Sequence, residues 1–114
     1  MSRVTSGFWV AAYVRRLNAQ NIFCVVERRG AEQGGAIFIK IVLHDGTARL
    51  FAPAPQSLLE DDGVRRFSAS TKPGQSEADI DARLAREARF DPDFWLVSVE
   101  DREGRHFLDD VIVD

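Results

Sequence analysis

The chain has 114 residues, 45% of them hydrophobic and 29% charged, a balance typical of a folded domain rather than a disordered segment. A formal net charge of −3 argues against a general attraction to nucleic acid. The single cysteine, Cys24, excludes an intramolecular disulfide and a cysteine zinc cluster. The apolar run 8–14 is far shorter than the roughly 20 residues of a membrane span. We therefore expect one domain, residues 1–114, in a cytoplasmic protein without a signal peptide or membrane segment.

Two helices are predicted. Thr5 or Ser6 is a suitable N-cap for a first helix from about residue 7 to residue 18 or 20. In that segment apolar residues recur at positions 10, 14 and 17, with Tyr13 beside them, which indicates one buried stripe. A second helix is predicted from about 77 to 89, because Ser76 and Asp79 resemble a capping box. It ends before Pro92, since the residue preceding a proline avoids the helical conformation.

Strands are predicted at 22–29, 36–43, 47–52, 64–69 and 94–101, and residues 105–108 are expected to fold back on the last of these. Apolar residues alternate onto both faces of 36–43, which is typical of a central strand. Asp45-Gly46 predicts a hairpin, and the glycine-rich loop 30–35 is interpreted as a mobile hairpin connection. The sequence thus predicts an α+β fold, with a mainly antiparallel sheet of four to five strands packed against two helices.

The leading functional hypothesis is a non-catalytic binding or protein-interaction module with an unknown protein or small-molecule partner. Trp9, Tyr13 and Arg16 share one flank of the first helix, whereas Arg15 points away from it. A polar turn follows the last predicted strand. Trp95 on that strand is expected to face the helices. The candidate ligand- or partner-binding residues are Trp9, Tyr13, Arg15, Arg16, Trp95, Glu100, Asp101 and His106. We expect a monomer or homodimer.

The alternative hypothesis is a binder of nucleic acid or of a phosphate ligand. Strand parity places Lys40 on the same face as Phe38, and Arg49 on the same face as Phe51, as in an aromatic stacking platform. The acidic total and the lack of a known RNA-binding motif make this partner less favoured. The cationic residues of this alternative are Arg28, Arg29, Lys40, Arg49, Arg65 and Arg66.

A second alternative is a metal-assisted enzyme centred on Glu100, Asp101 and His106, because imidazole and carboxylate groups are common metal ligands. Their spacing matches no recognised ligand motif. Cys24 lies among apolar residues, where a thiol is buried and inert. No nucleophile elbow, Walker loop or His-Glu-x-x-His motif occurs. We accordingly predict no catalytic residue, metal site or cofactor.

Several segments resemble a known family. They are 8–16 (FWVAAYVRR), 35–40 (GAIFIK), 52–56 (APAPQ), and a last segment that runs from 90–95 (FDPDFW) through 101–107 (DREGRHF). In this order they resemble the short bacterial family catalogued as domain of unknown function 1491, over nearly the whole chain and most specifically in the last segment. The resemblance implies a stand-alone bacterial protein and brings with it no activity, substrate or catalytic residue.

Overall fold

One mixed sheet lies between two helices in the computed structural model, which describes residues 4–55 and 64–112. The elements in chain order are α1 (Ser6–Asn18), β1 (Cys24–Arg28), β2 (Ile37–Val42), β3 (Ala48–Pro53), β4 (Phe67–Ala69), α2 (Glu77–Phe90), β5 (Trp95–Glu100) and β6 (Val111–Ile112). The predicted α+β class and both predicted helices are confirmed.

Both helices begin where the sequence predicts. The Thr5 side chain accepts a hydrogen bond from the Phe8 N–H at 3.1 Å, and the Ser76 side chain accepts one from the Asp79 N–H at 3.1 Å. Each cap satisfies one of the N–H groups that the first turn of a helix leaves unpaired. In the described ranges, neither helix has the length and apolar character needed to cross a membrane.

The order of the strands across the sheet is β1-β5-β2-β3-β4-β6. β2, β3 and β4 form an antiparallel meander, as predicted, whereas β5 runs parallel to β2 and antiparallel to β1. Because β4 and β5 therefore point the same way, the chain has to cross between them, and α2 provides that crossover.

The predicted strand count needs correction. The described residues form six strands rather than four to five, in three antiparallel and two parallel pairs. No strand forms at 105–108. Instead the chain continues past these residues to β6, which pairs in parallel with β4 at the far side of the sheet.

The glycine-rich loop 30–35 is not a hairpin connection, because β5 lies between β1 and β2. The loop crosses the start of β5, where the Ala31 N–H donates to the Asp93 carbonyl at 2.8 Å. A Cβ atom on Gly30 or Gly35 would collide with that same carbonyl oxygen. The glycines therefore allow a close crossing of two backbones.

Each face of the sheet carries its own core. Side chains alternate along β2, so Ile39 points to the face covered by α1 and Phe38 to the face covered by α2. The α1 face buries Val10, Tyr13, Leu17, Cys24, Ile37, Ile39, Ile41, Phe51, Phe67, Trp95, Val97, Val99 and Leu108. The α2 face buries Phe38, Ala48, Leu50, Ile80, Leu84, Phe94 and Leu96. The expectation that Trp95 faces a helix is confirmed.

Candidate functional site

A cleft of about 280 Å³ lies between α1 and β4, and we call it the α1 cleft. Its α1 wall is built from positions 9, 12, 13 and 16, a spacing that places all four side chains along one side of a helix. The lining residues are Trp9, Ala12, Tyr13, Arg16, Val64, Arg65, Phe67, Asp109 and Asp110. The cleft thus has an aromatic wall and a rim that carries charges of both signs.

Three rings form the aromatic wall. Trp9 stacks on Tyr13, with ring centroids 5.0 Å apart and an angle of 14° between the planes. Trp9 also meets Phe67 at 5.3 Å and 42°. Tyr13 and Phe67 are buried, whereas Trp9 is only partly buried. Trp9 is therefore the ring of this wall that keeps apolar surface available at the cleft.

The segment after β5 crosses the sheet on the α1 face and is fastened to α1. The Tyr13 hydroxyl donates to the His106 carbonyl at 2.7 Å, and an Nη of Arg16 donates to the Phe107 carbonyl at 2.7 Å. Phe107 has a φ of +57°, a left-handed conformation that is uncommon for a residue with a side chain. The carbonyls of His106 and Phe107 thereby fix the Tyr13 and Arg16 side chains of the α1 wall.

Burial fixes the protonation state of Tyr13. Loss of hydration raises the pKa of its hydroxyl well above the ordinary value, and the neighbouring Arg16 only partly offsets this. The hydroxyl therefore remains a neutral hydrogen-bond donor. The Arg16 guanidinium lies 5.5 Å from the centre of the Tyr13 ring, which places a cation at the edge of the cleft.

His106 has a structural environment. Its Nδ1 accepts a hydrogen bond from the Leu108 N–H at 2.8 Å, and its ring meets Phe51 edge-on at 5.0 Å. Burial lowers the pKa of His106, and the positive charge of Arg49 lowers it further. The neutral imidazole is therefore favoured, in the form whose Nδ1 is an acceptor.

Asp101 is held by its own turn. Its carboxylate accepts from the backbone N–H of Arg105 at 2.7 Å and from an Nη of the same residue at 2.8 Å. The hydrogen bond from the Arg105 side chain is the main reason that the pKa of Asp101 lies below its ordinary value. The Asp101 carboxylate therefore stabilises the turn 101–105 through its hydrogen bonds to Arg105.

Glu100, Asp101 and His106 do not converge on a metal site. Strand alternation puts Glu100 on the α2 face, whereas His106 packs against Phe51 on the α1 face. Within residues 4–55 and 64–112, no group of three or more His, Cys, Asp or Glu side chains could hold a metal ion. The structure therefore does not provide the ligand set of the metal-assisted alternative.

The other two residues of the predicted surface lie away from the α1 cleft. Trp95 is buried in the core, where its Nε1 donates to the Ala31 carbonyl at 2.8 Å. Arg15 is exposed on α1 and is not among the residues that line the cleft. Of the predicted surface, the structure brings Trp9, Tyr13 and Arg16 together at the cleft, and Tyr13 bonds the backbone of His106.

Sequence reasoning missed Phe67, Asp109 and Asp110 as members of the cleft. They reach it through the pairing of β4 with β6, which brings residues from distant parts of the chain to one edge of the sheet. The alternation within the predicted strand 64–69 indicates an inward-facing ring. That alternation does not indicate which helix the Phe67 ring contacts, which is α1.

Of the six cations of the nucleic-acid alternative, Lys40 shares the α2 face with Phe38, and Arg49 lies 4.8 Å from the centre of the Phe51 ring, as strand parity predicts, but neither ring is exposed for stacking. Phe38 and Phe51 are both buried, on opposite faces of the sheet. Arg28 donates to the Pro92 carbonyl at 2.7 Å and lies 4.8 Å from the Phe94 ring centre. The rings of Phe38, Phe51 and Phe94 are thus all covered by other parts of the protein.

The remaining arginines of this set are bonded to other parts of the chain. Arg49 donates to the Gly104 carbonyl at 2.7 Å, and Arg65 donates to the Val4 carbonyl at 2.7 Å. The side chain of Arg29 lies 3.9 Å from the carboxylate of Glu32, and that of Arg66 lies 3.8 Å from the carboxylate of Asp110. These contacts support loops and strand ends.

Lys40, the sixth cation, is 1% exposed and lies under three carboxylates. Its Nζ is 2.9 Å from Glu27 on β1, 2.9 Å from Glu77 and 2.8 Å from Asp81, both on α2. We call this group the Lys40 cluster. Burial alone lowers the pKa of Lys40, but hydrogen bonds to the three carboxylates outweigh it and raise the pKa above its ordinary value. The charged amine of Lys40 therefore links α2 to β1, the edge strand that carries Glu27.

These features define a small α+β protein with a six-stranded mixed sheet between two helices and an aromatic cleft beside the first. The chain belongs to the DUF1491 family: the model of that family, described as a protein of unknown function, matches residues 4–109. None of the curated proteins matches the chain.

Solved structures share this fold. A crystal structure of a DUF1491 family protein from Caulobacter crescentus CB15 is 38% identical, with a TM-score of 0.79 and coverage of 97% of both chains. An NMR structure of a DUF1491 family protein from the same strain is 39% identical, with a TM-score of 0.79 and coverage of 100% and 99%. The solution structure of protein Atu0922 from A. tumefaciens is 42% identical, with a TM-score of 0.74 and coverage of 87% and 86%.

Proposed function

We propose that this protein is a non-catalytic binding module whose α1 cleft receives a compact aromatic group of its partner. The observation that carries the proposal is the partly buried Trp9, stacked on Tyr13 and packed against Phe67 at the wall of the cleft. Aromatic anchors beside a concave apolar surface are the usual centres of binding energy.

The size of the cleft limits the ligand. Its volume of about 280 Å³ is just below the roughly 300–1,000 Å³ found for small-molecule sites. One or two fused rings, or one aromatic side chain, fit that volume. Arg16 on α1, and Arg65, Asp109 and Asp110 on the strand side, supply charges of both signs at the rim that can orient the ligand.

The polar groups beside the cleft favour binding over catalysis. Nucleophilic catalysis needs a nucleophile within hydrogen-bonding reach of a base. The Tyr13 hydroxyl is spent on a backbone carbonyl, and the His106 Nδ1 accepts from a backbone N–H. Among the lining residues that the structure describes, no side-chain nucleophile lies beside a free base.

Ligand-observed saturation-transfer NMR with indole and benzoate at millimolar concentration tests the proposal. We expect a transfer signal with the wild-type protein and with Phe8→Ala, which alters an exposed ring on the same helix. The signal should fall at least fivefold in Trp9→Ala. Equal signals in all three proteins, or none in the wild type, would refute the proposal.

A second arm identifies the source of the aromatic group. A photoreactive benzoylphenylalanine placed at Ala12, which lines the cleft, is compared in the native host with one at Ala82, exposed on α2. A protein partner gives an adduct at position 12 that is lost with Trp9→Ala and retained with Phe8→Ala. A small-molecule ligand instead gives no protein adduct at position 12 in the native host.

A further inference from the structure

β1 is an outermost strand of the sheet. The Phe23 carbonyl accepts a hydrogen bond from the Glu100 N–H at 3.0 Å, and Cys24 stands opposite Val99. Residues of an antiparallel strand alternately direct their backbone groups toward one neighbour and away from it. Phe23 and Val25 therefore bond to β5, whereas Cys24 and Val26 direct their N–H and C=O groups outward.

These outward groups form an open edge, which we call the β1 edge. In the part of the chain that the structure describes, no residue forms a hydrogen bond with the outward backbone groups of Cys24 or Val26. Such an edge is a template for another strand. The irregularity in register between Val26 and Arg28 ends the regular edge after three residues.

Apolar side chains border this edge. Phe23 is 56% exposed and Val25 is 38% exposed. Val25 stands opposite Ser98, which in turn stands opposite Lys40, so its side chain lies on the α2 face. An added strand would place side chains of the same parity against Phe23 and Val25.

Carboxylates cluster on the same face beside this edge, where Arg28 at the end of β1 lies over the Phe94 ring. Glu27, Glu77 and Asp81 share one lysine, so the Lys40 cluster has a net charge of −2 at neutral pH. The three carboxylates are 38%, 38% and 51% exposed and so remain accessible to a further cation. Glu100, exposed at the end of β5, adds another negative charge on this face.

We propose that the β1 edge accepts an extended, basic peptide segment of a partner protein by addition of a strand. Its backbone pairs with Cys24 and Val26, an apolar side chain covers Phe23 and Val25, and a lysine or arginine meets the exposed carboxylates. Backbone hydrogen bonds give affinity in this mode, and alternate side chains give specificity. The charge favours a basic peptide over a second copy of this chain, because self-pairing would bring two acidic faces together.

The probe for this proposal is an acetylated, amidated octapeptide in which valine and lysine alternate at every second position and threonine fills the positions between them, so that valine and lysine lie on one face of the added strand. It is titrated into the full-length ¹⁵N-labelled protein. We expect amide shifts in residues 23–27, a smaller effect at Glu100, and weaker binding at higher salt. A peptide N-methylated at alternate residues loses the hydrogen bonds of one edge and should bind at least tenfold more weakly. Absence of shifts at 1 mM peptide, or equal binding of the N-methylated peptide, would overturn the proposal.

Two variants locate the contact. Val26→Pro removes an outward N–H without touching the bonds to β5, a position where a strand accepts proline, and should weaken binding at least tenfold. Val25→Lys adds a positive charge beside the carboxylates and should weaken binding similarly, whereas Val25→Thr should retain it. Unchanged affinity in a folded Val25→Lys variant argues against the site. A dimer in sedimentation, with the amides of β1 protected before any peptide is added, would assign the edge to a second copy.

Discussion

The two faces of the sheet accommodate buried polar groups differently. On the α1 face, a neutral hydroxyl and a guanidinium at the rim of the cleft each donate to one backbone carbonyl. On the α2 face, a buried ammonium is surrounded by three carboxylates. A buried charge costs far more than a buried hydroxyl unless it is paired and hydrogen-bonded.

The difference explains why the α1 face keeps an open aromatic cleft. Lys40 needs the carboxylates around it, so its charge is satisfied inside the protein. Tyr13 needs only one acceptor, and the ring of Trp9 that stacks on it keeps part of its area accessible. The α1 face therefore combines a rigid aromatic support with an open cleft.

Removing the largest side chain from the α1 face should have the largest effect on stability. Trp95 is 1% exposed, and truncation of a buried aromatic residue to alanine costs about 3–5 kcal/mol. Urea unfolding of Trp95→Ala measures this loss. The control is Phe90→Ala, whose ring is 86% exposed and whose change should stay within about 0.5 kcal/mol. Similar losses in the two variants would mean that this face is not the main core.

Lys40→Met should remove the ion pairs of the Lys40 cluster on the α2 face and lower the free energy of unfolding. Removing one partner of a buried ion pair costs about 3–5 kcal/mol. Since the carboxylates here are 38–51% exposed, water compensates part of the loss and we expect about 1–3 kcal/mol. Lys72→Met, at the exposed second lysine, is the control. A loss no larger than in Lys72→Met would show that Lys40 does not stabilise the α2 face.

The stabilisation by Lys40 should also depend on pH at the alkaline end. The pKa of Lys40 is raised above the ordinary 10.5, so the folded state holds this proton more tightly than the unfolded chain. The contribution is therefore complete below about pH 10.5 and decreases as the pH rises through the raised pKa. The difference in unfolding free energy between wild type and Lys40→Met, measured from pH 8 to pH 11, should shrink only at the highest values.

Tyr13→Phe tests the attachment of the crossing segment to α1. It keeps the ring stacking but leaves the His106 carbonyl without its donor, and a lost hydrogen bond of this kind costs about 0.5–1.5 kcal/mol. Amide hydrogen exchange should accelerate at residues 106–108 and not in α2. Uniform acceleration over both helices would instead indicate a general loss of packing.

The smallest expected effect is the pH dependence due to His106. Its pKa is lowered in the folded state, so its contribution is complete above the unfolded value near 6.5 and is lost as the pH falls. His106→Asn keeps an acceptor for the Leu108 N–H and does not titrate. Wild type should therefore lose more unfolding free energy than this variant between pH 7.5 and pH 5. Equal losses would show that His106 does not contribute.

Local features of the fold were predictable from the sequence, and long-range ones were not. Caps and apolar periodicity identified both helices, because these signals act within a few residues. The insertion of β5 between β1 and β2 depends on the packing of whole elements. A short glycine-rich loop resembles a hairpin connection whether or not a third strand lies between its ends.

The same division applies to the site. Helical spacing by itself places Trp9, Tyr13 and Arg16 on one flank of α1, which is where the cleft lies. Lys40, on an apolar strand, suggested a surface cation, since its partner Asp81 is 41 residues away. Its burial follows from the position of α2 over β2, in agreement with the apolar residues on both faces of the predicted strand 36–43.

The two tryptophans of the chain provide the most direct test of the binding role of the α1 cleft. Trp9 lines the cleft, whereas the indole N–H of Trp95 is hydrogen-bonded inside the core. We predict that benzoate or indole, added to ¹⁵N-labelled protein, shifts the Trp9 indole signal in a saturable manner and leaves the Trp95 signal in place. Movement of both signals together, or of neither at millimolar ligand, would contradict the assignment of the cleft as a binding site.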